Sequence, residues 1–327
     1  MHYIFVILVL FFLLLIYFKI ADKYNIIDKP NYRSAHTNIT LRGGGIIFPL
    51  AFLLFLGKTF FNGSNVASLQ SYIIFGTGLL TISAISFIDD ILDLSTKIRL
   101  VFHFLSVTLL LYFVQAFQLL PIWVIPILYV VIIGILNAYN FMDGINGMTG
   151  LYSITVLGSL LYINQNLVIF TEDNYIIYPI LACIVFLFFN FRKKAKCFMG
   201  DVGSMAIAFW VIALLGLLMM KTQNLKWVLF LTIYGVEVIL TIIERLKLKE
   251  NIFKAHRRHL YQLLANEKQI DHRLVSLAYA LLQLIINLFV IKTSSFGILS
   301  YLILMIPTIF VYLFFKLNIK KNIQNYF

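Results

Sequence analysis

Residues 71–90 read SYIIFGTGLLTISAISFIDD, an apolar run that ends in two adjacent aspartates. A helix of about 20 apolar residues crosses the hydrocarbon layer of a bilayer, and this run has that length. In the whole chain 61% of residues are hydrophobic and 12% are charged, whereas about a quarter are charged in soluble domains. The sequence therefore predicts an all-α, polytopic integral membrane protein.

Similar apolar runs recur on both sides of this stretch and predict about eleven transmembrane helices. They lie at residues 3–19, 43–60, 71–88, 100–117, 121–137, 150–165, 176–190, 204–220, 227–243, 274–291 and 296–315. No Lys or Arg precedes the first run and no small-residue cleavage site follows it, so we expect it to remain as a helix. Because the spans take up nearly the whole sequence, we expect a single transmembrane domain over residues 1–327, with its active site on the loops of one side.

The basic residues indicate how the chain is oriented. With these spans, most of the 26 Lys and Arg residues fall on one side, and only Lys58, Lys221, Lys226 and Lys292 lie in the opposite loops. The positive-inside rule places the basic side in the cytoplasm, the N-terminus outside and the C-terminus inside. Anionic headgroups explain the net charge of +12, and no nucleic-acid-binding module is recognisable, so nucleic acid is not an expected partner.

The acid pair at the end of the third span is the first candidate for chemistry. Adjacent carboxylates at a membrane boundary, here Asp89 and Asp90, repel each other and are costly unless a cation or a proton lies between them. The alternative is a helix end that simply enters water. Further acids on the same side favour a functional site.

Two glycine-rich motifs follow later spans on the same side. Residues 137–150, NAYNFMDGINGMTG, offer carboxylate and amide oxygens of the kind that Mg²⁺ prefers. In residues 198–204, FMGDVGS, Gly200 and Gly203 flank Asp201, and we expect the next helix to begin near Ser204. Free N–H groups at such a helix start can hold a phosphate while Asp201 holds a metal. Simple N-capping is the alternative.

Two basic motifs complete the pattern. In residues 254–262, KAHRRHLYQ, the spacing of His256 and His259 predicts a shared helix face, and the two arginines between them suit phosphates. A zinc site lacks further ligands there, and a plain basic loop is the alternative. Arg42 precedes three glycines at the start of the second span, a stretch that is not a P-loop and could be ordinary basic flank. Cys183 and Cys197 provide neither a disulfide framework nor metal-ligand spacing.

Taken together, in this order and on one side, these motifs resemble the polyprenyl-phosphate N-acetylhexosaminyl-1-phosphate transferases. The similarity runs from about Asp28 to Gln262. It implies that undecaprenyl phosphate attacks the β-phosphate of a UDP-N-acetylhexosamine at the cytoplasmic face. The products would be a lipid-diphosphate-sugar and UMP, with Mg²⁺ present and Mn²⁺ as a substitute. A bacterial inner membrane, a role in cell-surface glycan synthesis and a homodimer are further expectations.

The resemblance also implies residue roles. Asp201 would bind the metal with Asn140 as co-ligand, and one of Asp89 and Asp90 would position or deprotonate the lipid phosphate. Phe198 would stack on uracil. The remaining expected substrate contacts belong to the nucleotide pocket, the diphosphate and the sugar: Asp143, Asn146, Gly200, Arg42, Arg99, His256, Arg258 and His259.

Departures from the family pattern bear on the substrate. Asn146 stands where many bacterial members have aspartate, and Leu41 replaces a common proline. The His-Arg-Arg-His run resembles the group that starts O-antigen chains with N-acetylglucosamine or an N-acetylated 6-deoxyhexosamine. A pentapeptide-bearing substrate is therefore disfavoured.

Two other classes of protein compete with this interpretation. A transporter could use intramembrane acids such as Glu237, although transporter acids usually lie near the bilayer midplane in paired repeats. We expect instead that Glu237 pairs with another helix. A non-catalytic scaffold would leave the Asp and Gly clusters without a purpose.

Overall fold

The computed structural model describes residues 1–28, 39–63, 65–251, 257–293 and 298–324 and is almost entirely helical. The α-helices are α1 His2–Lys23, α2 Ile47–Phe61, α3 Val66–Leu92, α4 Thr96–Phe113, α5 Ala116–Leu119, α6 Val124–Met142, α7 Met148–Asn166, α8 Asp173–Asn190, α9 Gly200–Thr222, α10 Thr232–Lys247, α11 Leu260–Gln262, α12 His272–Lys292 and α13 Ile298–Gln324. Shorter elements are the strands β1 Ile27–Asp28 and β2 Thr40–Leu41, 3₁₀ helices at Gly44–Ile46 and Leu225–Leu231, and a π-helix at Leu263–Glu267.

Each of the eleven predicted spans falls on a long helix, which confirms the all-α membrane class. Over the described ranges, nine helical stretches are long and apolar enough to cross a membrane. The stretches from α7 and α13 are not among them, so eleven crossings and the predicted orientation remain predictions.

The polar character of α7 has a structural reason. It packs against α8 and α12 and also contacts α9, and its Thr149, Ser153 and Ser159 are buried. Asn287 of α12 donates to Ser159 at 2.9 Å, and Tyr152 donates to Gln283 of α12 at 2.8 Å. Because Ser159 and Tyr152 find partners inside the protein, α7 can be less apolar than a helix that faces lipid.

Helix α9 lies at the centre of the bundle. It contacts α3, α6 and α7, and most of its side chains are buried. Near its middle, Trp210 donates to the Tyr175 carbonyl at 3.0 Å within a cluster of aromatic rings that includes Phe52 and Phe75. This packing fixes α9 in the core, and its N-terminus is thereby held against the end of α3.

Candidate active site

The first loop is joined to the FMGDVGS motif by backbone hydrogen bonds. Strand β2 pairs antiparallel with β1 on one side, and on the other Leu41 forms a parallel bridge with Cys197. Phe198 N donates to the Leu41 carbonyl at 2.8 Å, and Gly44 N donates to the Phe198 carbonyl at 2.9 Å. Two motifs that lie more than 150 residues apart in sequence are therefore one structural unit.

Glycines allow the two segments to touch backbone to backbone. A Cβ on Gly45 would lie 2.1 Å from the Gly203 Cα, and a Cβ on Gly203 would lie 2.5 Å from the Gly45 Cα. Gly45 N also donates to the Met199 carbonyl at 2.9 Å. Any side chain at either position would force the 3₁₀ turn away from the start of α9.

Helix α9 begins four residues earlier than the sequence predicted. It starts at Gly200, whose φ of 72° is in the left-handed region, and not near Ser204. Asp201 is consequently inside the first helical turn. The reason is tertiary, since Val202 N donates to Asp90 Oδ2 at 3.5 Å and a side chain of α3 thus caps α9.

The two members of the acid pair have different surroundings. Asp90 points inwards against the α9 N-terminus and its side chain is 1% exposed. Asp89 instead accepts a hydrogen bond from Leu94 N at 2.8 Å on one oxygen and from Arg99 Nη1 at 2.8 Å on the other. Both oxygens of Asp89 are therefore engaged by α3–α4 groups.

Arg42 lies between the acids of α3 and α9. Its Nη2 is 2.5 Å from Asp90 Oδ1 and 3.5 Å from Asp201 Oδ1. One positively charged nitrogen is thus shared by two carboxylates that belong to different helices. This is the arrangement expected where the site is built to hold positive charge.

Asn140 completes this group from the end of α6. Its Nδ2 donates to Asp201 Oδ2 at 3.1 Å, and its Oδ1 accepts from Ser204 Oγ at 3.0 Å. We call these five residues the Asp90–Asp201 site: Arg42, Asp90, Asn140, Asp201 and Ser204. In this arrangement the amide of Asn140 must turn over before its oxygen can face a metal on Asp201.

Asp143 lies just beyond α6 and is partly buried. Desolvation, with a smaller contribution from the negative charge of Asp201, raises the pKa of this carboxyl to about 7. Near neutral pH Asp143 therefore exchanges between its neutral and charged forms.

Asn146 and Asn190 hold the second motif in place. Asn146 is buried, and its Nδ2 donates to the Arg192 carbonyl at 2.8 Å. Asn190 accepts from Gly147 N at 2.6 Å and donates to the Cys197 carbonyl at 2.9 Å, so it ties the second motif to the third. Asn190 was not among the predicted site residues, although a polar residue at the end of an apolar span is a recognisable signal.

The last motif packs beside the site and forms an ion network of its own. Arg258 pairs with Glu250 and lies 3.6 Å from Glu244. Tyr261 donates to the Phe141 carbonyl at 2.8 Å, and its ring covers Gly144. The motif therefore contacts the loop that carries Asp143.

The predicted helix face of this motif is wrong for His259. His259 has extended backbone and immediately precedes the short helix α11, because it serves as the N-cap. Its Nδ1 lies 3.4 Å from Glu237 Oε1, and its side chain is buried. His256 lies outside the described residues.

Glu237 is held by hydrogen bonds between elements. Leu260 N donates to Oε1 at 2.5 Å, and Tyr279 of α12 donates to Oε2 at 2.6 Å. The expectation that Glu237 pairs with another helix is confirmed. This removes the specific observation that favoured a transporter.

The oxygen donors of the Asp90–Asp201 site suit Mg²⁺. Among the described residues, no three His, Cys, Asp or Glu side chains group closely enough to hold a metal by themselves. Mg²⁺ however needs only one or two protein carboxylates, because waters and substrate phosphates supply its other ligands. Arg42 Nη2 lies between Asp90 and Asp201, so the two carboxylates already face a common positive charge.

Several predicted site residues thus come together, while others lie apart. Arg42, Asp90, Asn140 and Asp201 converge directly, and Gly200 lies under Asp90, since a Cβ there would be 2.6 Å from its Oδ2. Asp89 and Arg99 form a separate pair, and Arg258 and His259 form separate contacts with glutamates. Phe198 is partly buried beside Gly44.

Comparison with known proteins supports the family resemblance. Residues 72–220, which carry Asp89, Asp90, Asn140 and Asp201, match the family described as Glycosyl transferase family 4. Together with the relatives described below and the apolar helices, this match confirms the resemblance expected from the sequence motifs and supports a transferase with several membrane-spanning helices.

Two individual relatives are similar to most of the chain, and a third to half of it. A probable undecaprenyl-phosphate N-acetylglucosaminyl 1-phosphate transferase of Bacillus subtilis is 28% identical, covering 90% of this chain and 84% of the relative. The undecaprenyl-phosphate alpha-N-acetylglucosaminyl 1-phosphate transferase of Escherichia coli K12 is 27% identical, with 86% and 80% covered. A phospho-N-acetylmuramoyl-pentapeptide-transferase of Petrotoga mobilis is 30% identical over 50% of this chain and 56% of the relative.

Proposed function

We propose that this protein transfers N-acetylglucosamine 1-phosphate from UDP-N-acetylglucosamine to undecaprenyl phosphate and releases UMP. The observation that carries the proposal is the convergence of Asp90 and Asp201, from two helices, on one cationic nitrogen. The names of the Bacillus subtilis and Escherichia coli relatives support this sugar phosphate and this lipid. An N-acetylated 6-deoxyhexosamine is the second donor to test, because the His-Arg-Arg-His run also suits it.

The proposed reaction forms one phosphoanhydride bond and breaks another. An oxygen of the lipid phosphate forms a bond to the β-phosphorus of the donor, and the bond from that phosphorus to the bridging oxygen breaks. The bridging oxygen leaves with UMP. Such phosphoryl transfer asks the protein mainly to position the reactants and to neutralise charge on the phosphate oxygens. A divalent cation supplies much of that neutralisation when it is bound.

The residues of the Asp90–Asp201 site have complementary roles in this proposal. Asp201 and Asp90 hold the cation, with Asn140 positioning Asp201 through its 3.1 Å hydrogen bond. Arg42, which is 32% exposed, supplies a guanidinium fork to the phosphates. The lipid phosphate is already ionised near neutral pH, so it needs alignment more than a strong base.

The other expected contacts belong around this centre. Phe198 and the glycine-bounded loop of Asp143 and Asn146 are proposed to line the nucleotide pocket. Arg99, Arg258, His256 and His259 are proposed to contact phosphate or sugar groups of the substrates. Because Arg258 and His259 pair with Glu250 and Glu237 and not with Asp90 or Asp201, we expect their contribution to be smaller than that of Arg42.

The location follows from the same reasoning. Asp90 and Asp201 lie at the ends of apolar helices, where a phosphate attached to a membrane-embedded lipid would be found. We propose that this end faces the cytoplasm of a bacterial inner membrane, with Mg²⁺ as the cofactor and Mn²⁺ as a substitute. Residues 1–327 would form one domain, and a homodimer is a further expectation. The product would start a cell-surface glycan, such as an O-antigen.

The test is UMP release by purified protein supplied with undecaprenyl phosphate, Mg²⁺ and a panel of UDP-N-acetylhexosamines. We expect release with UDP-N-acetylglucosamine, and loss of about 10²-fold or more of the rate in Asp201→Asn or with a chelator. Asp173→Asn is the matched control, because Asp173 lies at the opposite end of α8 from the site and should stay within about threefold of wild type. No release with any donor from folded protein, or equal release from Asp201→Asn, would refute the proposal.

A further inference from the structure

Arg42 is an unusual neighbour for residues that are proposed to hold a divalent cation. Its Nη2 contacts Asp90 Oδ1 at 2.5 Å and approaches Asp201 Oδ1 at 3.5 Å. The guanidinium therefore already provides a positive charge between the two carboxylates. Since Asp90 is almost fully buried, it would be costly to leave it charged without such a partner.

Asp90 Oδ1 cannot contact the guanidinium and coordinate a metal ion at the same time. A carboxylate oxygen binds Mg²⁺ at about 2.0–2.1 Å. An arginine nitrogen 2.5 Å from that oxygen would lie against the metal, and both carry positive charge. Binding of the cation by both carboxylates therefore requires the Arg42 side chain to move away from Asp90.

The backbone of Arg42 is fixed, so the movement is confined to the side chain. Arg42 N donates to the Ile26 carbonyl at 3.1 Å, and Tyr17 donates to the Arg42 carbonyl at 2.7 Å. Two residues further along the chain, Gly44 N donates to the Phe198 carbonyl. The Arg42 side chain is nevertheless 32% exposed, which leaves it a route towards solvent and towards a ligand at the mouth of the site.

We infer that Arg42 is an exchangeable counter-cation. In the substrate-free protein it neutralises Asp90 and Asp201, and when the divalent cation binds it turns to the diphosphate of the donor. This inference rests on the proposed function, which supplies the cation and the diphosphate. A planar guanidinium suits the second role because its fork matches phosphate oxygens.

Exchange of this kind couples the two ligands. The cation displaces Arg42 from the acids, and the diphosphate stabilises Arg42 in its displaced position, so each ligand strengthens the binding of the other. Without the side chain at position 42, the cation would face no internal competitor. The donor would then have lost one of its phosphate contacts.

Arg273 provides a contrast. Its Nη2 lies 2.8 Å from Asp271 Oδ2, and its side chain is 42% exposed. Asp271 also caps α12 by accepting from Arg273 N at 2.9 Å, a bond that does not need the Arg273 side chain. Arg273→Gln therefore removes the same charge from another ion pair without vacating the Asp90–Asp201 site.

The experiment measures Mn²⁺ binding by electron paramagnetic resonance in detergent, with and without UDP, for wild type, Arg42→Gln and Arg273→Gln. We expect Arg42→Gln to bind Mn²⁺ about tenfold or more tighter than wild type in the absence of UDP. The enhancement of Mn²⁺ binding by UDP should shrink by a similar factor. Arg273→Gln should remain within about threefold of wild type in both measurements. Unchanged or weaker Mn²⁺ binding by folded Arg42→Gln would overturn the inference.

Arg42→Lys keeps the test decisive if Arg42→Gln does not fold. Lysine retains the charge but lacks the fork, so we expect Mn²⁺ affinity near that of wild type with a smaller enhancement by UDP. Full enhancement in Arg42→Lys would overturn the inference. Failure of the proposed function has a different signature, since wild type would then show neither Mn²⁺ binding strengthened by UDP nor release of UMP.

Discussion

At the residue scale, the adjacent aspartates show how different two neighbouring carboxylates can become. Their position at the end of an apolar span predicted that they belong to a functional site. The different surroundings of the two aspartates could not be predicted. Asp90 contacts Arg42 and the N-terminus of α9, whereas Asp89 contacts Arg99 and the backbone N–H of Leu94. These partners are set by tertiary packing and not by local pattern.

Asp90→Asn and Asp89→Asn should therefore differ. We expect Asp90→Asn to reduce the rate of UMP release by about 10²-fold or more, because it removes one of the two charges that hold the cation. Asp89→Asn should cost about tenfold or less, since Arg99 is partly exposed and can be solvated once its partner is neutral. Steady-state rates at saturating Mg²⁺ test this order, and a more severe Asp89→Asn would contradict it.

The pKa of Asp143 predicts a pH dependence of stability. Because the pKa of this carboxyl is raised to about 7, the folded state binds its proton more tightly than the unfolded state does. This stabilisation is present at low pH and is lost as the pH rises through about 7. Asp143→Asn stays neutral, so its melting temperature relative to wild type should increase between pH 5.5 and pH 8.

Melting curves of both proteins in one detergent, without divalent cation, measure this difference. The comparison cancels the titration of all other groups as long as they are unaffected by the substitution. A difference in melting temperature that is constant with pH, or that falls with rising pH, would show that Asp143 is not protonated in the folded protein.

At the element scale, the site depends on the contact between the 3₁₀ turn and the start of α9. The sequence correctly marked Gly200 and Gly203 as a special helix start, but it placed the start near Ser204. The error has a physical cause, since the N-terminus of α9 is capped by Asp90 of another helix. A cap supplied from a distant segment leaves no local sequence signal.

Gly45→Ala should damage both stability and activity. A Cβ at this position would lie 2.1 Å from the Gly203 Cα, so the 3₁₀ turn must shift away from α9 and take Arg42 with it. We expect a loss of about 1–3 kcal/mol in the free energy of unfolding and about tenfold or more in the rate of UMP release. Denaturant unfolding and the UMP assay measure these changes.

Gly57→Ala is the matched control in the following helix, α2. Apart from the surrounding backbone of α2, no atom of the described residues lies within 4 Å of a Cβ at Gly57, and alanine favours helix by about 1 kcal/mol over glycine. This variant should be as stable as wild type or more stable, with normal activity. If Gly45→Ala behaved like Gly57→Ala, the close approach would not be important for the site.

At the scale of the whole molecule, composition was sufficient to predict a helical membrane protein. The number of crossings was harder to predict, because α7 is buried among other helices and carries polar groups paired with α12. Hydropathy measures preference for lipid, and a helix surrounded by protein escapes that requirement. The order of the spans predicted that the motif-bearing loops lie on one side of the membrane. It did not predict which residues of those loops contact one another.

The orientation predicts which loops can be labelled from each side. Lys97→Cys, in the first turn of α4, should react with a membrane-impermeant maleimide only when the cytoplasmic face is accessible. Asn62→Cys, in the loop after α2, should react from the outside. The native Cys183 and Cys197 are both buried and should give little background. The reverse pattern would place the Asp90–Asp201 site on the wrong side for a UDP-sugar.

The most direct test of the whole account follows the β-phosphorus of the donor. UDP-N-acetylglucosamine labelled in its β-phosphate is incubated with undecaprenyl phosphate, Mg²⁺ and either wild type or Asp201→Asn, and the lipid is then extracted. We predict that wild type moves the label into the lipid fraction together with the sugar, and that Asp201→Asn does not. Sugar transfer that leaves the label in the aqueous nucleotide would contradict phosphosugar transfer at this site.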